Sequence, residues 1–201
     1  MKQVTIVSHP LIDHSLTILR DKRTPTEEFR RHAGIVSKIL ILETTKQLAV
    51  KNKNIETPLA PMIGKQLGDD VVVVPVLRAG LAMLFAIQDF LQSVSVGFIG
   101  LERDEKTAQS REYYQKLPKI FASHKAIVID PMLATGGSFD DTVTALKIKG
   151  AKNITVVCIV SAPEGIAHLQ KKHPDVSIIT AAIDEKLNDR FFIFPGLGDF
   201  G

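Results

Sequence analysis
Residues 126–138 read AIVIDPMLATGGS, and this run limits what the chain can fold into more than any other segment. Ala126, Ile127, Val128 and Ile129 are apolar without alternation, which predicts a strand buried on both faces. Asp130 stands where that strand ends. After a short turn, Thr135, Gly136, Gly137 and Ser138 lead into a helix. Phe139, Val143 and Leu146 fall at helical spacing, and Gly150 stands at the C-cap. A second apolar strand follows over residues 154–160. The glycines of this strand–loop–helix–strand unit free backbone N–H groups to surround an anion at a helix N-terminus. A carboxylate beside such a cradle repels the anion and suits what is attached to it, such as the hydroxyls of a ribose. The run reads as a site for a phosphorylated sugar.

A Gly-Gly turn alone is common punctuation between a strand and a helix and need bind nothing. The acid at the strand end favours a site, because open parallel sheets bind ligands at the carboxyl ends of their strands. Competing motifs fit worse. No Gly-Lys-Ser/Thr ending closes the loop, as a nucleoside-triphosphate P-loop requires. Residues 136–140, GGSFD, lack the last glycine of a nucleophile elbow. Residues 196–201, GLGDFG, match a dinucleotide fingerprint in letters only, since that motif needs a following helix in a βαβ unit. A tight turn held by Pro195 is the better reading. The six histidines show no metal-ligand spacing. Asp140 and Asp141, in the first turn after the cradle, complement the helix dipole, with metal binding the lesser alternative.

Further apolar runs at residues 71–76, 94–101 and 176–183 predict strands, and residues 81–91 an apolar helix. Thr24, Pro25 and Glu27 spell a capping box with proline at the first helical position. Phe29, Val36, Ile39 and Leu40 give that helix its apolar face, and polar residues take over by 51–54. Strands alternating with helices predict an α/β fold with a mainly parallel central sheet. A single domain over residues 1–201 is expected, with the N-terminal helical region and the C-terminal segment as additions against the core. The strand over 71–77 delivers Arg78, Ala79 and Gly80 at its end, where a planar guanidinium suits phosphate oxygens and a plain surface arginine is the bland alternative. Arg103 opens a polar loop that charged residues set apart from the strand before it.

Hydrophobic residues make up 45% of the chain and charged residues 23%, as in ordinary soluble proteins. A net charge of +3 is too small to argue for nucleic acid. The lone Cys158 lies within an apolar run and reads as a buried structural residue. No signal-like apolar region opens the chain, and no apolar stretch approaches the ~20 residues needed to span a bilayer. The expectation is a cytoplasmic protein without membrane or nucleic-acid partners.

The cradle resembles the phosphoribosyl-diphosphate signature of the type I phosphoribosyltransferases. Most of that fold carries two adjacent acids where this chain has Asp130-Pro131, and the variant sequence is similar to the uracil phosphoribosyltransferase branch. The likeness continues through Leu19-Arg20-Asp21-Lys22, Val76-Leu77-Arg78-Ala79-Gly80, Glu112-Tyr113-Tyr114, Ala162-Pro163-Glu164-Gly165-Ile166, Ala181-Ala182-Ile183-Asp184 and Pro195-Gly196-Leu197-Gly198-Asp199. The resemblance implies transfer of a phosphoribosyl group to uracil, with Mg²⁺ carried mainly by the substrate diphosphate. It assigns Arg78, Arg103 and Asp130 to catalysis. Those three, Pro131, Met132, Leu133, Ala134, Thr135, Gly136, Gly137, Ser138 and Asp199 would bind phosphoribosyl diphosphate. Ile193, Gly198, Asp199 and Phe200 would surround uracil. A homodimer or higher homo-oligomer and a GTP effector are further implications. A catalytically silent phosphoribosyl-binding regulator and a transferase for another base are the alternatives.

Overall fold
The computed structural model describes residues 4–89, 91, 94–103 and 110–200, with the side chains of Arg103 and Ser110 outside the description. In chain order the elements are β1 (Val4–Ile6), α1 (Pro10–Arg20), α2 (Thr26–Thr45), β2 (Val50–Glu56), β3 (Pro61–Leu67), β4 (Val71–Leu77), α3 (Gly80–Ile87), β5 (Ser95–Val96), β6 (Phe98–Arg103), β7 (Ser110–Lys116), β8 (Lys125–Ile129), β9 (Met132–Leu133), α4 (Gly137–Ile148), β10 (Asn153–Ser161), α5 (Pro163–Lys172), β11 (Ser177–Ile183), β12 (Lys186–Leu187) and β13 (Ile193–Phe194). The main sheet runs β1-β11-β10-β8-β4-β6-β7, with β5 beside β4 and β9 beside β10. All its pairings are parallel except β6 with β7.

Alternation along the buried strands divides the core into two layers. Val71 and Val73 of β4 and Ile127 and Ile129 of β8 face α1, α2 and α3, where Ile12, Leu16, Leu40 and Met83 pack. Val72 and Val74 with Ala126 and Val128 face α4 and α5, against Phe139, Val143, Leu146 and Leu169. A sheet covered on both faces needs apolar residues at every strand position, which is why these strands show no polar alternation. Cys158 of β10 lies fully buried in the second layer. Burial pushes its thiol up to about 12, so it is an inert packing residue.

One local expectation fails for an identifiable reason, and one polar segment takes regular structure that its pattern does not announce. The Thr24 hydroxyl does not cap α2: it donates to the Ile18 carbonyl at 2.6 Å, tying the helix entry back to α1, and Pro25 becomes the cap residue without a side-chain bond. The polar segment 51–54, beyond that helix, is extended backbone. It belongs to β2, which pairs with β3 in a hairpin apart from the main sheet, with Lys51 opposite Gln66 and Asn54 opposite Ile63. Helix α3 also ends earlier than the apolar run suggested, at Ile87.

Candidate active site
The carboxyl ends of β4 and β8 converge on a cavity of about 690 Å³. Arg78 and Ala79 after β4, Leu101 and Glu102 of β6, Tyr113 of β7, Asp130, Met132 and Ser138 after β8, and Asp199 and Phe200 near the end of the chain line it. The Leu77–Arg78 peptide is cis. A pocket of about 210 Å³, lined by the cradle from Ala134 to Phe139, adjoins it and shares Asp130, Met132, Ser138 and Asp199. A third space, about 560 Å³, shares Arg78, Ala79, Asp199 and Phe200 and reaches α2 at Thr26 and Arg30.

Gly136, at φ +88°, is the N-cap of α4, and the helix has no side-chain cap. Asp140 N–H donates to the Gly136 carbonyl at 2.9 Å, which leaves the amides ahead of it for a ligand. A helix N-terminus opening into a pocket with no capping side chain suits a phosphate. The cradle is braced from behind by α5. A Cβ on Gly165 would lie 2.3 Å from the Ala134 carbonyl oxygen, and one on Gly136 would lie 3.0 Å from the Gly165 carbonyl oxygen. Asp140 belongs to the same brace. It accepts from His168 Nε2 at 2.7 Å and His173 Nε2 at 2.8 Å, while Lys147 Nζ lies 3.2 Å from His173 Nδ1 and 2.6 Å from Asp175. Burial raises the Asp140 carboxyl, but the two histidine hydrogen bonds outweigh it and hold the carboxyl below its ordinary range. This network joins α4 to α5, a role that the dipole reading of Asp140 did not include.

Asp130 follows β8 on the cavity floor and accepts from the Met132 N–H at 3.0 Å. Desolvation pushes its carboxyl up to about 7, the Met132 bond only partly opposing it. Pro131 and Leu133 do not line the cavities described above. The Pro131 carbonyl accepts from Ile159 and Val160, and the Leu133 side chain is buried in the core, so both support the cradle from the sheet side. Arg103 closes β6, but its side chain is not described. Ile193 is buried, with its carbonyl turned toward Gly196, and Gly198 has φ +86°. Phe200 packs on Phe29 of α2 with ring centroids 5.2 Å apart. Sequence reasoning missed Phe191 and Phe192 on the cradle pocket and Glu102 and Tyr113 on the main cavity. The adjacent aromatics are the sequence signal that could have found the first two, and Tyr113 lies in the likeness motif Glu112-Tyr113-Tyr114, to which no site role was attached.

The uracil phosphoribosyltransferase family model matches residues 6–201. The chain belongs to that family. Family members named uracil phosphoribosyltransferase include one from Dictyoglomus turgidum, 51% identical over 98% of this chain and 96% of its own length. Another, from Clostridium perfringens, is 49% identical over 100% of this chain and 97% of its own. Among solved structures, the AQ2163 protein from Aquifex aeolicus superposes with a TM-score of 0.94 at 32% identity, covering 99% of this chain and 96% of that one. A hypoxanthine phosphoribosyltransferase from Staphylococcus aureus reaches a TM-score of 0.53 at 12% identity over 84% of this chain and 85% of its own, a likeness of fold alone. The α/β architecture with a mainly parallel sheet is thus that of the type I phosphoribosyltransferases.

Proposed function
We propose that this chain transfers the phosphoribosyl group of phosphoribosyl diphosphate to uracil, giving uridine monophosphate (UMP) and diphosphate, a step of pyrimidine salvage. The reading rests on one observation: a matched family core whose cavity gathers Arg78, Asp130, Ser138 and Asp199 around an uncapped helix N-terminus. In this reading the amides opening α4 hold the 5′-phosphate and Asp130 accepts from the ribose hydroxyls. Arg78 and Arg103 take the diphosphate. The main chain at Ile193 and from Gly198 to Phe200 receives the base. Base N1 forms a bond to ribose C1 as the bond from C1 to the diphosphate oxygen breaks, and the N1 proton leaves to the departing diphosphate or to water. Positive charge grows on the sugar and negative charge on the leaving group, so catalysis comes from positioning and electrostatics. The assay is turnover of labelled uracil with phosphoribosyl diphosphate and magnesium, which should release UMP and diphosphate in equal amounts. Turnover of a purine base with none of uracil would assign the site to another base.

Among the described residues no three His, Cys, Asp or Glu side chains gather closely enough to hold a metal. The donors that fit Mg²⁺ are therefore the oxygens of the diphosphate with water, and Asp199 is the carboxylate expected on that side. When bound, the cation would neutralise charge on the departing diphosphate. Excess chelator should abolish turnover, and calorimetry should find only weak magnesium binding until the diphosphate substrate is added. Full activity in chelator, or tight binding to the protein alone, contradicts this. Among the described residues no helix is long and apolar enough to cross a membrane. A homo-oligomer responsive to GTP completes the reading on the strength of the resemblance, and sedimentation with and without GTP tests it.

Uracil presents an acceptor, a donor and an acceptor along one edge, which main-chain groups can match. Cytosine places a donor against a backbone donor and lacks the N3 proton. Two unpaired buried groups at about 1–3 kcal/mol each imply discrimination of roughly a hundredfold or more. Phe200→Ala should weaken uracil binding through lost packing on Phe29 while keeping that preference. Parallel assays of both bases on both proteins measure it. Comparable cytosine turnover, or a preference lost in the variant, excludes main-chain readout.

A further inference from the structure
Two of the motifs that carry the family likeness have no part in the chemistry above, yet they meet in space. Arg20 ends α1, and Asp184 directly follows β11. Arg20 Nη2 donates to Asp184 Oδ1 at 2.6 Å, and Nη1 donates both to Asp184 Oδ2 and to the Gly196 carbonyl, each at 2.8 Å. The Gly196 N–H completes the set by donating to Asp184 Oδ2, also at 2.8 Å. Both backbone groups of Gly196 are thus held by one forked ion pair, whose Asp184 side chain is only 4% exposed.

The ion pair grips the chain at a sharp turn that only glycine fits. The φ of Gly196 is +64°, and a Cβ would lie 2.2 Å from the Ile193 carbonyl oxygen. Upstream, β13 is tied to β12 and the Glu185 N–H donates to the Phe194 carbonyl at 3.0 Å. Downstream, only Leu197 separates the clamp from Gly198, and among the described residues nothing lies within 4 Å of a Cβ built there. Leu197 is buried in the core and Phe200 packs on Phe29, so the turn is held at its far end by packing and at its near end by the clamp.

We infer that Arg20 and Asp184 are positioning residues for base recognition: they set the turn that carries the main-chain groups facing the base, and with it the preference for uracil. Neither residue lines the cavities described above. The inference rests on the proposed uracil reaction, and its test separates the two. Arg20→Lys keeps the charge but loses the fork. Asp184→Asn keeps the shape but loses the charge.

Steady-state kinetics with each substrate varied in turn, alongside melting curves, give the readout. In Arg20→Lys the KM for uracil should rise about fivefold or more and the uracil-to-cytosine ratio of kcat/KM should fall by a similar factor, while the KM for phosphoribosyl diphosphate stays within about twofold. Asp184→Asn should do the same more strongly where it folds. Hydrogen exchange over residues 195–200 should quicken in both variants. A merely structural clamp would lower the melting temperature and leave both KM values and the base ratio unchanged, and that result overturns the inference. Wild-type protein that makes no UMP overturns the reaction itself, and the positioning role with it.

Discussion
Replacing Asp130 by alanine should cut kcat/KM for phosphoribosyl diphosphate by roughly a hundredfold to ten-thousandfold while the protein stays folded. Each charged hydrogen bond to a ribose hydroxyl contributes about 1.5–3 kcal/mol, and two hydroxyls are within the reach of one carboxylate. Asparagine at the same position separates charge from shape. Burial raises the Asp130 carboxyl to about 7, so in the free protein the acceptor is half ionised near that pH. Ionisation should therefore raise kcat/KM about tenfold from about pH 6 to about pH 8 in the wild type, after correction for the substrate's own titration. Asp130→Asn should lose that rise.

The stability consequence has the opposite sign. The folded pKa lies above the ordinary value, so the native state retains a proton that the unfolded chain has released as the pH climbs from about 4 to about 7. Stability falls over that window, and Asp130→Asn should melt at or above the wild type at alkaline pH. An active-site acid that costs stability for function accounts for both results. Wild-type kinetics in a folded Asp130→Ala protein would remove the carboxylate from the mechanism.

Gly165→Ala is the second large effect expected. The added methyl would sit 2.3 Å from the Ala134 oxygen and 3.0 Å from the Ala134 carbonyl carbon. Both atoms are backbone, in the cradle itself, and α5 holds Gly165 as one of its first residues, so neither side can yield by rotating a side chain. Overpacking of this kind costs about 1–3 kcal/mol. Its displacement falls on the amides that face the phosphate, where misplacement by about 1 Å can cost around a hundredfold. We expect a lower melting temperature together with a kcat/KM for phosphoribosyl diphosphate reduced by about two orders of magnitude. Steady-state kinetics and thermal unfolding on the purified variant check both. Unchanged kinetics would mean that the cradle does not depend on its contact with α5.

The strand–loop–helix unit was legible because each of its parts has a local cause. Unbroken apolar runs mark strands covered on both faces, and the glycine pair marks a loop ending at a positive-φ cap. Gly150, at φ +99°, follows the C-cap residue Lys149, one place past the expected cap, and closes α4 with its N–H on Lys147 and that of Ala151 on Leu146. The β2–β3 hairpin was not legible. Every β2 residue is exposed, so no face of the strand selects apolar residues and no period appears. Thr24 spelled a cap but found a stronger partner on α1, a competition between local and tertiary bonds that spacing does not reveal.

The site follows the same division. Arg78, Asp130 and the cradle lie at strand ends and helix starts, where position along the chain predicts position in space. Tyr113 reaches the cavity from β7, across a strand pairing, and Phe191 and Phe192 reach the cradle from the segment before β13. The Arg20–Asp184 clamp joins residues 164 positions apart. Nothing in the local pattern of either residue specifies the other.

The central claim is that one cavity holds a phosphoribosyl group between the α4 N-terminus and Asp130 while the turn at 196–200 receives the base. A crystal structure of the protein with UMP tests it most directly. The account predicts the phosphate on the amides of residues 136–138, the ribose hydroxyls on Asp130 and the uracil edge on main chain between Ile193 and Phe200. UMP bound elsewhere, or with its base turned away from that turn, would contradict it.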